Sequence, residues 1–338
     1  MRVRTDVGLF AAGALALACA QPASTAADSG LSTGETSETA SDTSEGLESE
    51  DEGESEDESE GEGESEGEDE AEAETDTDEP RCRKNVVLMG YWPPTNEMLR
   101  PWSTNPSQNP GGWIGGDWEG YGFDVYAFFP EFPPDGDPSN DPIGSSGAVG
   151  SPDFDLRVDY QATSSDFWRI VDEHAPVILI TTSRGGGIGW EIEAIEGGHG
   201  LDNPGDPAFD WASDQHGPDT RPTQDSIEPR SWDAIATWRQ GDTLASSLPM
   251  AAIHEATSAL GLTSVQIDQV GTSGNFLSGF LGLHGVYHAL HERQVVAAGH
   301  IHVGYGLPVD DASALMAETL RVVLEEHPAD GVGCSPGW

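Results

Sequence analysis

The sequence predicts an α/β domain in which a mostly parallel sheet is covered by helices on both faces. Two observations predict it. Short Val- and Ile-rich runs bounded by Gly and Pro recur across residues 81–338, and helical patterns of three turns or more stand between them. Strands joined by helices of that length return parallel, which buries both faces of the sheet.

In chain order, residues 86–89 read Val-Val-Leu-Met, a continuous apolar run of strand length, and residues 125–129 form a second. A helix is expected over 159–173, where Phe167, Ile170 and Val171 fall at helical spacing and His174-Ala175-Pro176 marks the end. Strands follow at 177–181, 264–270 and 295–303, and helices at 249–260, 275–292 and 311–326. Two long irregular segments, 130–152 and 199–243, are rich in Asp, Pro, Gly and Trp, as functional loops often are. Trp113, Trp118, Trp211, Trp232 and Trp238 stand in loop-like sequence, where their rings either floor a sugar or peptide site or tuck over their own core. Asp135, Asp137 and Asp141 are compatible with calcium or with simple turn chemistry.

Ahead of this domain the composition changes twice. Residues 1–19 carry Arg2 and Arg4 before an apolar run too short to span a membrane, the pattern of a secretory signal. The run ends in Ala16-Leu17-Ala18-Cys19, which resembles a bacterial lipobox. Export to the cell envelope is therefore expected, with a membrane partner reached through lipid on Cys19; an ordinary cleaved signal is the alternative. Residues 20–80 contain no basic side chain and only Leu31 and Leu47 as large apolar ones, so they are expected to form a disordered acidic tether.

The chain carries a net charge of -47, and the tether's share leaves about -23 on residues 81–338. Lys84 is the only lysine. This excludes nucleic acid as a partner, because phosphate binding requires clustered Lys and Arg. Cys82 and Cys334 stand at the two ends of the domain, and in an oxidising compartment they are expected to pair.

The chemistry-bearing residues concentrate in 270–305. Gly271-Thr272 opens a helix that continues through Leu283-His284, and Gly299-His300-Ile301-His302-Val303 follows as a strand. This order resembles the pyroglutamyl peptidase I family, in which a Gly-Thr turn leads to a catalytic cysteine on a helix containing Leu-His, and a later Gly-x-Ile-His-Val carries the base. Leu248-Pro249-Met250 opening a helix is a further shared feature, and Val87-Leu88-Met89-Gly90-Tyr91 looks like the family's first strand. Gly189-Trp190-Glu191 with Ala194-Ile195, then Asp202-Asn203-Pro204-Gly205, is similar to the family's Glu-Arg-x-Ala-Ile-Asn and Asp-Asn-x-Gly, with Ile192 in the place of the arginine.

The resemblance implies a three-layer αβα sandwich with a twisted, mostly parallel mixed sheet, and a peptidase acting on N-terminal pyroglutamyl or lactam-like groups without a cofactor. It puts Glu191 and His302 at the catalytic glutamate and histidine, Gly271 and Thr272 in the substrate-binding turn, and Tyr91 and Trp92 in an aromatic wall. Counting back from Leu283-His284, Asn275 holds the cysteine's place. An amide nitrogen lacks the nucleophilic lone pair of a thiolate, so Asn275 caps a helix but does not attack a carbonyl. Ser273 in the same turn is the alternative nucleophile. Two functions stay open: a hydrolase with a changed nucleophile, and a non-catalytic protein that binds a peptide, glycan or other small-molecule ligand in the same pocket. His284, His288 and His291 share one helical face, a weak candidate for zinc.

Overall fold

In a computed structural model, the described residues are 82–130, 132–137, 139, 155–187, 189–196, 244–269, 271 and 276–335. Residues 1–81, with Cys19 and the acidic segment, lie outside them, as do Asp141, Asp202-Asn203-Pro204-Gly205, Trp211, Trp232 and Trp238. So do Thr272, Ser273 and Asn275. Among the described residues no helix is long and apolar enough to cross a membrane.

The first strand, β1 (Asn85–Tyr91), is buried along its whole length and precedes a short helix, α1 (Thr95–Leu99). Then come β2 (Asp124–Phe128), α2 (Tyr160–His174), β3 (Ile178–Gly185) and β4 (Trp190–Glu193). A two-stranded antiparallel pair, β5 (Ile195–Glu196) and β6 (Leu244–Ala245), leads to α3 (Met250–Ala259). The chain closes with β7 (Val265–Asp268), α4 (Leu277–His291), β8 (Ala297–Gly304) and α5 (Val309–Glu326).

The main sheet has the order β2-β1-β3-β8-β4-β7. Every neighbouring pair is parallel except β8 and β4, so β4 and β7 run against the other strands. Side chains alternate across a strand, which divides the core in two. Val86, Leu88, Ile178, Ile180, Ile301 and Val303 face α1, α3 and α5. Val87, Met89, Leu179 and Ala298 face α2 and α4, where Phe167, Trp168 and Phe280 complete the packing. The result is a three-layer αβα sandwich on a mostly parallel, mixed sheet.

The expected elements are present with shifted ends. The strand expected over 295–303 is β8, Ala297–Gly304, because Val295 still belongs to the turn, its N–H donating to the carbonyl of Glu292. Helix α2 stops at His174 because Ala175 adopts a left-handed conformation and Pro176 follows. Strand β4 and helix α1 were not foreseen. The β4 sequence, Trp-Glu-Ile-Glu, is only four residues long and half charged.

Cys82 and Cys334 are joined by a disulfide, with Cα atoms 5.1 Å apart and 252 residues between them in sequence. Beside it, the N–H of Ser335 donates to the carbonyl of Arg83 and its hydroxyl accepts from the N–H of Asn85, extending the clamp to the start of β1. Trp113 stacks on Tyr126 and donates from Nε1 to the carbonyl of Val125, while Trp118 is buried and packs edge-on against Trp102. Trp118 covers the core, whereas Trp113 is 37% exposed and lines a surface cleft with Lys84, Asp124 and Tyr126. Asp135 and Asp137 accept the N–H groups of Asp137 and Ser139, which is turn chemistry.

Candidate functional site

Ligands of open α/β sheets gather at the carboxyl ends of the parallel strands, and that is where the polar residues of this sheet collect. Thr181 and Ser183 of β3 lie beside His300 and His302 of β8 in register, Thr181 opposite His300 and Ser183 opposite His302. The period of two puts all four on one face, the face covered by α2 and α4. Because β4 runs antiparallel to β8 and Glu191 pairs with His302, Glu191 and Glu193 are brought onto that face too.

His302 is the centre of the group. Its Nδ1 lies 3.0 Å from Oε1 of Glu193 and 3.8 Å from Oε2 of Glu191. The Glu193 side chain is fully buried, that of His302 is 9% exposed, and that of Glu191 is 22% exposed. The other oxygen of Glu191, Oε1, accepts from Nε2 of Gln266 on β7, which fixes the carboxylate with Oε2 toward the imidazole. Burial pushes the His302 imidazole below its usual value, and the carboxylates of Glu191 and Asp268 pull in the opposite direction. The neutral ring is favoured, with acceptors waiting to stabilise a proton.

His300 is tied more tightly. Its Nδ1 lies 2.8 Å from the Thr181 hydroxyl and its Nε2 3.0 Å from the Ser183 hydroxyl. Thr181 also donates to the carbonyl of Gly299, so its hydroxyl accepts from Nδ1–H, and Nε2 accepts from Ser183. Complete burial, and secondarily the neighbouring His302, hold the His300 imidazole well below its usual value. It braces the face on which His302 stands, with the two ring centroids 5.0 Å apart.

A cleft of about 180 Å³ reaches His302 and Glu191 from solvent, lined also by Gly185, Gly186, Gly189 and Gln266. A side chain at position 185 would press on His302, since a Cβ there would stand 3.0 Å from the His302 Cβ. Gly185 therefore leaves room beside the imidazole.

The residues singled out from the sequence separate into three groups. Glu191 and His302 come together, and Glu193, which the sequence reading passed over, is nearer to the imidazole than Glu191. Residues two apart on a strand share a face, but that signal required β4 to be recognised as a strand, and its four half-charged residues conceal it. Tyr91 is fully buried, and its hydroxyl donates to the carbonyl of Leu277 at 2.7 Å. It ties the end of β1 to the first turn of α4. Trp92 is half-buried, edge-on to Tyr91 and 5.9 Å beneath the Arg184 guanidinium, and it is not part of the cleft. Gly271 adopts a positive φ of 68° in the turn before α4, while Thr272, Ser273 and Asn275 lie outside the described residues.

The helical histidines do not converge on a metal centre. His284 is completely buried; its Nδ1 donates to the Phe280 carbonyl at 2.7 Å and its Nε2 accepts from Ser164 at 3.0 Å. Both nitrogens are engaged. His288 packs against Phe167 and Trp168, and His291 against Tyr287. These histidines pack within the core and on the helix surface.

No protein-family model and no curated protein matches this chain. Among solved structures, the chain is similar to the pyrrolidone carboxyl peptidase of Thermococcus litoralis, at a TM-score of 0.47 and 15% identity over 73% of this chain and 96% of that one. It is also similar to the pyrrolidone carboxyl peptidase of the hyperthermophile Pyrococcus furiosus, at a TM-score of 0.45 and 15% identity over 72% of this chain and 99% of that one.

Proposed function

We propose that the chain is an exported hydrolase of N-terminal pyroglutamyl or lactam-like amides, held at the cell envelope by lipid on Cys19. One observation carries the catalytic part of this reading. A buried carboxylate, Glu193, stands 3.0 Å from Nδ1 of a largely buried imidazole at the carboxyl ends of the parallel strands. With Nδ1 facing the carboxylates, Nε2 is the nitrogen left to take a proton, the polarity a general base requires.

Ser273 is the nucleophile in this proposal. As Oγ bonds to the substrate carbonyl carbon, its proton passes to Nε2 of His302. Collapse of the tetrahedral intermediate breaks the amide C–N bond, and the same proton leaves with the amine. Water, deprotonated by His302, then releases the acid from Ser273. Glu193 steadies the imidazolium formed in each half, with Glu191 adding to the field.

A second reading, a non-catalytic binder of peptide, glycan or another small molecule, is favoured by Asn275 at the position where the resembling family carries its nucleophile. Fluorogenic pyroglutamyl and aminoacyl amides offered to the full chain separate the two. Turnover lost in both Ser273→Ala and His302→Ala supports the hydrolase. A wild-type chain that cleaves none of these amides, yet binds them, establishes the binding protein instead.

A further inference from the structure

The geometry points to a transition-metal site at Glu191, Glu193 and His302, in which a zinc-class divalent ion takes the place of the proton on His302 Nδ1. One donor atom from each of the three residues lies within 4.8 Å of the other two. Zinc binds imidazole nitrogen and carboxylate oxygen at about 2.0–2.2 Å, so two ligands of one tetrahedral ion stand about 3.4 Å apart. The Nδ1 distances of 3.0 Å to Glu193 and 3.8 Å to Glu191 bracket that separation, and side-chain adjustments of a few tenths of an ångström bring both to it.

Three further features distinguish this group from a chance cluster of acids. The first is the imidazole: magnesium and calcium prefer all-oxygen sites, whereas a nitrogen donor beside carboxylates selects zinc and its neighbours. The second is the support behind a ligand. Gln266 donates to Oε1 of Glu191 and leaves Oε2 turned toward His302, which is how outer residues orient metal ligands. The third is access. The cleft between Gly185, Gly189 and Gln266 opens onto His302 and Glu191, leaving a fourth position for water. The acidic character of the domain raises the local cation concentration.

The ion has a consequence for the site, and this part rests on the hydrolase reading above. Metal on Nδ1 commits that lone pair and places the ring proton on Nε2, so the nitrogen needed as a base becomes a donor. Zinc then switches the base off, and its removal restores it.

The test uses the full chain, stripped by a chelator, with Zn²⁺ followed by titration calorimetry and Co²⁺ by visible absorption. Equivalents held by the acidic N-terminal segment are common to every variant, so differences between variants isolate the site. The expected result is one tight equivalent that disappears in His302→Ala and in Glu193→Gln, survives His291→Ala, and weakens about 10–100-fold in Gln266→Ala. Co²⁺ in the wild type should show the intense visible bands of a four-coordinate centre.

Zinc binding that is the same in wild type, His302→Ala and Glu193→Gln overturns the site, as does a Co²⁺ spectrum like that of the aqueous ion. Turnover that one bound equivalent of zinc leaves unchanged overturns the switch. A chain that binds zinc here but cleaves no amide keeps the site and overturns only the hydrolase reading.

Discussion

The buried carboxylate of Glu193 lies closer to Nδ1 of His302 than that of Glu191 does, 3.0 Å against 3.8 Å, although Glu191 is the direct cross-strand partner of His302. Both glutamates point to the same side of β4, and Glu193 is the one sealed from water.

Glu193 therefore matters more than Glu191 to the proposed chemistry. Glu193→Gln keeps the shape and removes the charge that stabilises the imidazolium, so kcat should fall about 100-fold or more with little change in KM. Glu191→Gln, at a partly exposed position, should cost less. Steady-state kinetics on a fluorogenic pyroglutamyl amide give both numbers, and equal effects would contradict the assignment of the buried residue as the partner of His302.

His284 makes stability depend on pH. Burial lowers its pKa to about 4, against the counter-effect of the hydrogen bond to the Phe280 carbonyl, whereas in the unfolded chain it titrates near 6.5. Between those values the unfolded chain binds the proton and the folded one does not. The contribution is thus fully present above about pH 6.5 and is lost as pH falls toward 4, on the order of 3 kcal/mol in total. Denaturant midpoints across that range should fall for the wild type, and more shallowly for His284→Gln, which carries no proton.

The disulfide closes 252 residues of sequence separation, so its main effect is on the unfolded chain. Loop-closure entropy sets an upper value of about 5 kcal/mol for a loop of that length. Cys82→Ser should lower the unfolding midpoint in denaturant under non-reducing conditions, and adding a reductant to the wild type should reproduce the shift. A reduced wild type as stable as the oxidised one would mean that the two ends are held by the Asn85, Arg83 and Ser335 contacts alone.

How far the sequence disclosed this arrangement depended on how each residue is buried. Strands β1, β3 and β8 are covered on both faces; β1 and the first half of β3 write themselves as apolar runs, and Ile301 and Val303 mark β8 between its histidines, which is why their positions were legible. Strand β4 alternates Trp190 and Ile192 toward one core with Glu191 and Glu193 toward the polar face, and four such residues resemble a loop. Its partner β8 explains the omission of Glu193: only the antiparallel register between them brings that carboxylate to His302. Tyr91 shows a related difficulty. An aromatic at the end of a strand reads equally as pocket wall or as core, and the contact that decides, its hydroxyl on Leu277, spans 186 residues.

Gly282 tests the packing of α4 over the polar end of the sheet. A Cβ at this position would stand 2.7 Å from the carboxylate of Glu196, a fully buried side chain on β5. Alanine is favoured over glycine in a helix by about 1 kcal/mol, so propensity alone predicts that Gly282→Ala stabilises. The contact opposes that gain, because the buried Glu196 carboxylate must shift to make room for the methyl group. Gly282→Ala should therefore stabilise by less than about 1 kcal/mol in denaturant unfolding. The double variant Gly282→Ala with Glu196→Ala should relieve the clash and recover the full helical gain relative to Glu196→Ala alone, so the alanine effect should be more favourable in the second background. An alanine that stabilises both backgrounds equally would mean that α4 does not rest on Glu196.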